Sequence, residues 1–520
     1  MQSILLVVLG SFTAVYVFLR LVLYLTQDRR EPPAILTGIP FIGPLVGMIR
    51  ERSDFHVRLR DTYKLPIHTL RLPFSRIYVV NSRELIPALQ KQYRSISFAA
   101  ISADAGFIVG ISKQGNELLH RDLTSEHGFS LTWPKYIMTA MGPGKELDSI
   151  NRRSIQVFAQ DMDELRANGT AVKTGLMEWA RGIMIKSTTE AVWGPQNPYR
   201  DSSIAEAWKT FEKGFLTLSV FPLASVFFPK LYRARELATA ALVDYTRKGG
   251  YKTASGLVRM RFEHHVKQWG LSLDDFGRGE LGNTFAVLGN STPCALWFLF
   301  HILSDKKVLD DVRKEVSAMV TVNEDDDCNC IDLAAIRKAC PILLSTFQET
   351  LRVHSVNPGV RMVLEEVLLN DEILLKKGSL LMIPTPVQHT DTSAWGPDVN
   401  TFDHLRFARK PGQRKHDRVA FRSFGGGHVL CPGRHFASTE IMALAALLVL
   451  QFDVVATGNG GAWIEPTSKN SPIQAGFAVP DSDIDVELRP RDPTRKWRVT
   501  FTGSDEAIGI VSEDIEHSGN

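Results

Sequence analysis

The residues best able to do chemistry are gathered in Phe424-Gly425-Gly426-Gly427-His428-Val429-Leu430-Cys431-Pro432-Gly433-Arg434. A glycine triplet leads into one cysteine, and the apolar run Phe436 to Phe452 behind it has helical spacing. Cys431 therefore sits at the mouth of a helix, where unpaired backbone N–H groups and the positive end of the dipole stabilise a thiolate. The three glycines can bend the backbone until its N–H groups face the sulfur, which a Cβ would hinder. A buried thiolate with no second cysteine beside it suits a single axial iron ligand better than a zinc site or a disulfide. The competing reading is a Gly-rich turn before a core helix, with an inert buried cysteine.

Two other stretches carry chemistry-bearing side chains. Glu349 and Arg352 stand three apart in a segment opened by Pro341, a residue tolerated at a first helical position, so they share a face and can pair. Leu281 to Leu303 reads as a long apolar helix interrupted by Pro293, which lacks an N–H for the carbonyl of Gly289. That orphan carbonyl, with Asn290, Ser291 and Thr292, makes a small polar notch in an apolar wall. A kinked core helix is the alternative.

The cysteine loop resembles the heme-binding loop of the cytochrome P-450 family. The pattern Phe, two residues, Gly, three residues, Cys, one residue, Gly is filled by Phe424, Gly427, Cys431 and Gly433. The resemblance implies heme b with Cys431 as its axial thiolate and metal ligand. It implies that Glu349 and Arg352 join Arg406 in a buried triad supporting the cysteine loop, with His404 where the family usually has proline. The basic residue usual two places before the cysteine is Val429 here, and Arg361 matches a family position whose guanidinium reaches a heme propionate. On the distal helix the family pattern of small residue, Gly, any, acid, Thr keeps Gly289 and Thr292 but has Leu288 and Ser291. A second frame, Asn-Ser/Thr-x-Pro with a Trp four places on, is similar to the sterol 7α/12α-hydroxylase and prostacyclin synthase branch. In that frame Asn290, rather than Thr292, stands over the oxygen. The catalytic candidates are thus Asn290, Thr292 and Gly289.

The elements that must position these residues follow from the rest of the chain. Of 520 residues 44% are hydrophobic, enough for a large core, and a net charge of +3 with no zinc spacing or basic arm excludes a nucleic-acid binder. Five irregularly spaced cysteines imply no disulfide framework, and Cys328-Asn329-Cys330 after an acidic run reads as an exposed loop. Ile4 to Leu19 is almost entirely apolar and Leu21 to Leu25 continues it beyond Arg20, and roughly 20 such residues cross a bilayer core. Arg29 and Arg30 follow this span and nothing basic precedes it, which places the body in the cytosol, with the endoplasmic reticulum as the expected membrane. The expected organisation is a transmembrane anchor at 1–27, a proline-stiffened connector at 28–45, a heme-thiolate domain at 46–503 and a polar, disordered tail at 504–520.

Within the body, Ile67 to Asn81 predicts two strands, Ser95 to Ser112 a mobile loop over a pocket, and 145–320 a mostly helical stretch. Val360 to Leu369 and Ser379 to Ile383 predict strands, and Phe477 to Arg489 a last strand pair. Mainly α with small β-sheets, preceded by one transmembrane helix, is the fold the resemblance implies. Arg409, Lys410, Arg414, Lys415, Arg418 and Arg422 form a basic stretch suited to docking an acidic electron donor. The activity implied is a monooxygenase acting on a lipophilic, terpenoid, sterol-like or meroterpenoid substrate of fungal secondary metabolism. Its electrons would come from NADPH–cytochrome P-450 reductase. Two other classes fit less of the sequence: a heme-thiolate isomerase or dehydratase needing no reductase, and a non-catalytic heme sensor.

Overall fold

Two helices that are buried on every side set the architecture. In Arg434–Gln451 every residue except Ala437 is buried, and Ser291–Ser304 is buried from Ser291 to Leu303. Both are mainly apolar, and a helix without an exposed polar face packs inside against other helices. Around these two lie Lys145–Ala167, Leu176–Trp193, Lys306–Ser317 and Pro341–His354, which share one hydrophobic core with them. Each large side chain fully buried there contributes about 1.5–3 kcal/mol. A second core lies under Pro229–Arg247 and Leu273–Leu288. The computed structural model describes residues 2–220, 223–325, 327–408, 417, 419–503 and 510–511.

Small sheets fill the rest. A five-stranded sheet runs in the order Ile67–Leu72, Ser75–Val80, Leu380–Met382, Val360–Val363, Ile96–Ser97, antiparallel except where Leu380–Met382 lies parallel to Ser75–Val80. Burial on this sheet places Arg361, in its fourth strand, inside the protein. The fold is mainly helical with small sheets, as the sequence implied.

Several local expectations are corrected. Ser95 to Ser112 is not a loop: Ala99–Val109 is helical and ends at Gly110, whose φ of 81° closes the helix. Its alanines favour a helix, and the small-residue pattern is what lets it pack closely. Cys328–Asp332 is a strand rather than an exposed loop, held between Thr321–Asn323 and Lys496–Thr500, and Cys328 is buried. Phe477 to Arg489 supplies one strand, Asp485–Pro490, and its partners are the distant Phe452–Ala456 and Val172–Gly175. Phe477 makes only an isolated bridge, to Ser355. Beyond residue 503, Ile510 and Val511 are buried in the main core, and the Ile510 carbonyl accepts a bond of 2.9 Å from Gln348, so that part of the expected tail is packed. The rest of the tail lies outside the described residues.

The N-terminal helix Gln2–Thr26 carries an exposed apolar stretch, Ile4–Thr26, of mean hydropathy 2.2. Its end is tied to the body. Arg71 donates to the Thr26 carbonyl at 3.2 Å, and Thr69 pairs with the connector through the Pro32 and Pro33 carbonyls. Glu31 in the connector is buried and receives Arg76 at 2.7 Å and the Tyr78 hydroxyl at 2.8 Å.

Candidate active site

The cysteine loop is closed by its own backbone. The Cys431 N–H donates to the Phe424 carbonyl at 2.8 Å, and Leu430 donates to Gly427 at 3.1 Å. Gly425 and Gly427 have φ of 81° and 59°, which a side chain resists, while Gly426 is extended. The N–H groups that face the sulfur are those of Gly433 and Arg434, after the cysteine, not those of the triplet before it. Burial pushes the Cys431 thiol up, and these two N–H groups with the Arg434 charge pull it back. Its side chain opens into an internal cavity.

Behind the loop the charged groups form one connected network. Glu349 is fully buried and accepts from Arg352 at 2.8 and 2.7 Å and from Arg406 at 2.9 Å. Arg352 also donates to the His389 carbonyl at 3.0 Å, and Arg406 to the Thr401 carbonyl at 3.0 Å. His389 continues the path. Its Nδ1 donates to the Arg352 carbonyl at 2.7 Å and its Nε2 accepts the Arg422 N–H at 2.9 Å, which fixes one neutral tautomer. Burial holds the His389 imidazole down to about 3. Ser423 adds a bond of 3.1 Å to the Leu351 carbonyl. Sequence reasoning missed His389, whose signal lay only in a lone histidine between Gln388 and Thr390. His404, in the place of the usual proline, reaches Asp311 at 3.0 Å.

The cavity lies between this loop and the distal helix, with Cys431 in one wall and Asn290, Ser291 and Cys294 in the other. Phe98, Met141, Val287, Phe347, Ile383 and Phe477 give it an apolar wall.

The expected distal helix is two helices, Leu273–Leu288 and Ser291–Ser304, broken at Gly289 and Asn290. Pro293 falls in the first turn of the second, where its missing N–H has no intrahelical role. Ala286, Val287, Asn290, Ser291 and Cys294 line the cavity at helical spacing. Thr292, on another face, is buried and is not among the described lining residues, nor is Gly289. The Asn290 amide does not turn back to the Gly289 carbonyl: its Oδ1 accepts the Gly476 N–H at 3.1 Å. Ser291 Oγ donates to the Val287 carbonyl at 2.8 Å.

Arg361 is buried beside the cavity, donates to the Gly359 carbonyl at 2.8 Å, and has no carboxylate partner among the described residues. Burial and the charge of Arg422 push it down to about 10. Arg422 was counted in the basic docking stretch; it is buried and lines the cavity instead. The other residues of that stretch, Arg409, Lys410, Arg414, Lys415 and Arg418, lie outside the described residues. Two buried like charges lining the same cavity as a thiol would suit a cofactor that carries two carboxylates and a metal able to take a thiolate ligand. Heme b, with two propionates, is such a group.

A thiol at a helix mouth facing an apolar cavity, with two buried arginines suited to carboxylates, fits a heme-thiolate site. The family pattern described as Cytochrome P450 matches residues 282–485. Cytochrome P450 monooxygenase nodJ of Hypoxylon pulicicidum is 33% identical over 500 residues, 93% of this chain and 95% of that protein. A cytochrome P450 monooxygenase of Gibberella zeae is 27% identical over 475 residues, 89% and 88% of the two chains. The 7-alpha-hydroxycholest-4-en-3-one 12-alpha-hydroxylase of Oryctolagus cuniculus is 27% identical over 225 residues, 40% of this chain and 43% of that one. The solved structure of retinoic acid bound cyanobacterial CYP120A1 has the same fold, with a TM-score of 0.68 at 19% identity over 89% of this chain and all of that one. The chain belongs to the cytochrome P450 family; it is a monooxygenase with heme b as cofactor.

Proposed function

We propose that this enzyme oxidises a lipophilic small molecule, of terpenoid, sterol-like or meroterpenoid class, in fungal secondary metabolism. Electrons come from NADPH through a separate cytochrome P-450 reductase. The observation that carries this reading is the apolar cavity that has Cys431 and the Asn290–Ser291 notch in its walls. Heme b, held through Cys431, supplies the oxygen-activating chemistry, and thiolate donation favours O–O cleavage. Arg361 and Arg422 hold the propionates. Glu349, Arg352 and Arg406 keep the cysteine loop in shape, with Phe424, Gly427 and Gly433 setting its path. Asn290 orients the oxygen side of the reaction, while the aromatic wall excludes water.

The helix Gln2–Thr26 anchors the chain in the endoplasmic reticulum membrane, with the catalytic body in the cytosol where the reductase works. The docked connector sets the angle of that body, and a membrane-partitioned substrate is within reach. Purified holoenzyme reconstituted with the reductase, NADPH and extracts of the producing fungus tests the reading: a metabolite gaining oxygen only in the complete mixture supports it, and no NADPH-dependent product overturns it. One observation favours the isomerase or dehydratase reading, namely that Ser291, not an acid, stands on the distal face. Turnover without NADPH would decide for that alternative.

A further inference from the structure

Gly476 lies 186 positions from Asn290 and hydrogen-bonds to its side chain. Asn290 caps the second distal helix, yet its side chain makes no bond to that helix. Instead Oδ1 accepts the Gly476 N–H at 3.1 Å. An N–H can meet only the oxygen of an amide, so this bond fixes which end of the Asn290 amide is left to donate. Asn290 is exposed although the thirteen residues after it are buried, and its exposure is to the cavity.

The glycine is itself held. Its carbonyl accepts the Val356 N–H at 3.0 Å, and the Ala478 N–H meets the His354 carbonyl at 2.8 Å. A Cβ at 476 would lie 2.9 Å from Asn290 Oδ1 and 3.2 Å from both Cγ and Nδ2. That is closer than packed atoms stand, so any side chain at this position displaces the amide. Bond and clearance point to one purpose for the missing side chain.

We propose that Gly476 is a positioning residue: its N–H fixes the amide of Asn290 so that the NH2 group is presented to the cavity as an oriented hydrogen-bond donor. An amide held this way donates and does not pass a proton on, so Asn290 orients an oxygen-bearing molecule and the proton itself comes from water. This rests on the role given to Asn290 above.

The test is a double-mutant cycle in the reconstituted holoenzyme with Gly476→Ala, Asn290→Ala and the double variant. Each is measured for product formed per NADPH consumed, for Tm and for its ferrous–carbon monoxide spectrum. Gly476→Ala is expected to lower coupling about tenfold, since small misplacements of a positioned group cost up to about 10², with the thiolate-type spectrum retained. The double variant should couple no worse than Asn290→Ala alone. It should also recover the Tm lost by Gly476→Ala, because the overlapping amide is gone; this comparison stands even if the single variant folds poorly. Full coupling in Gly476→Ala with poor coupling in Asn290→Ala overturns the positioning and leaves the Asn290 role intact. Full coupling in Asn290→Ala overturns the role itself. Additive losses of coupling and of Tm in the double variant also overturn the positioning.

Discussion

On the thiolate side of the cavity, Glu349, Arg352, Arg406 and His389 reach the backbone of the cysteine loop through a continuous run of bonds between 2.7 and 3.0 Å. On the distal side, the Asn290 side chain accepts a bond of 3.1 Å from Gly476, and Ser291 donates to carbonyls at the end of the preceding helix. The first arrangement contains buried charge, which is costly to expose and so rigid. The second is neutral and local. Breaking the first therefore damages the fold and the cofactor site together, whereas breaking the second changes the chemistry with little effect on the fold.

The largest effects are expected on the thiolate side. Cys431→Ala should abolish the long-wavelength absorption of the ferrous–carbon monoxide complex and all turnover; a variant retaining both would mean the iron ligand lies elsewhere. Arg352→Ala leaves the Glu349 carboxylate with only part of its buried partnership, at a cost of about 3–5 kcal/mol. Urea unfolding of heme-loaded protein should show that loss, with heme released early in the transition. Arg352→Lys should recover little, because a single ammonium cannot make the three bonds of the guanidinium.

Next in size is a pH dependence on the same side. Glu440, on the helix behind Cys431, is fully buried, and burial pushes its carboxyl up to about 7 against the pull of the Ser154, Thr188 and Ser187 hydroxyls. A raised carboxyl is protonated when folded and ionised when unfolded between pH 4.5 and about 7, so its stability contribution is complete below pH 4.5 and is lost as pH rises through about 7. His389 runs the other way. Lowered to about 3, its contribution is complete above pH 6.5 and is lost as pH falls towards 3. Glu440→Gln removes one arm: its stability relative to the unaltered enzyme should climb from pH 4.5 to about 7 and then level off. A pH-independent difference in urea midpoints would show that Glu440 does not titrate in this window.

What was readable in the sequence follows the same division. The cysteine loop and the Glu349–Arg352 pair are local patterns, fixed by backbone needs and helix spacing over a few residues, so their places could be anticipated. Arg406 and Arg361 were reached only through the family likeness, because nothing within their own segments says what they meet. His389 was missed because its partners, the carbonyl of Arg352 and the N–H of Arg422, are backbone atoms of other segments. Cys328–Asp332 was misread as a loop for a similar reason: its parallel partner Lys496–Thr500 is far along the chain. The distal break was anticipated from Pro293, but the partner of Asn290 was not, since Gly476 offers no side chain to notice.

The smallest effect is the one that sharpens the comparison most. Asn290 stands at the break and Thr292 in the first turn of the second helix, and only the first of them is in the cavity wall. Asn290 lines the cavity with Ala286, Val287, Ser291 and Cys294, while Thr292 is 5% exposed and packed behind them. Asn290→Ala should therefore divert NADPH into peroxide, with product per NADPH falling about tenfold or more. Thr292→Ala should leave that ratio within about twofold, since the change removes little beyond a hydroxyl from a packed site. The two variants should have similar Tm values, so that coupling alone separates them. If Thr292→Ala uncouples as strongly as Asn290→Ala, the helix must turn when substrate binds, and the distal side is then the movable half of a cavity whose other half is fixed.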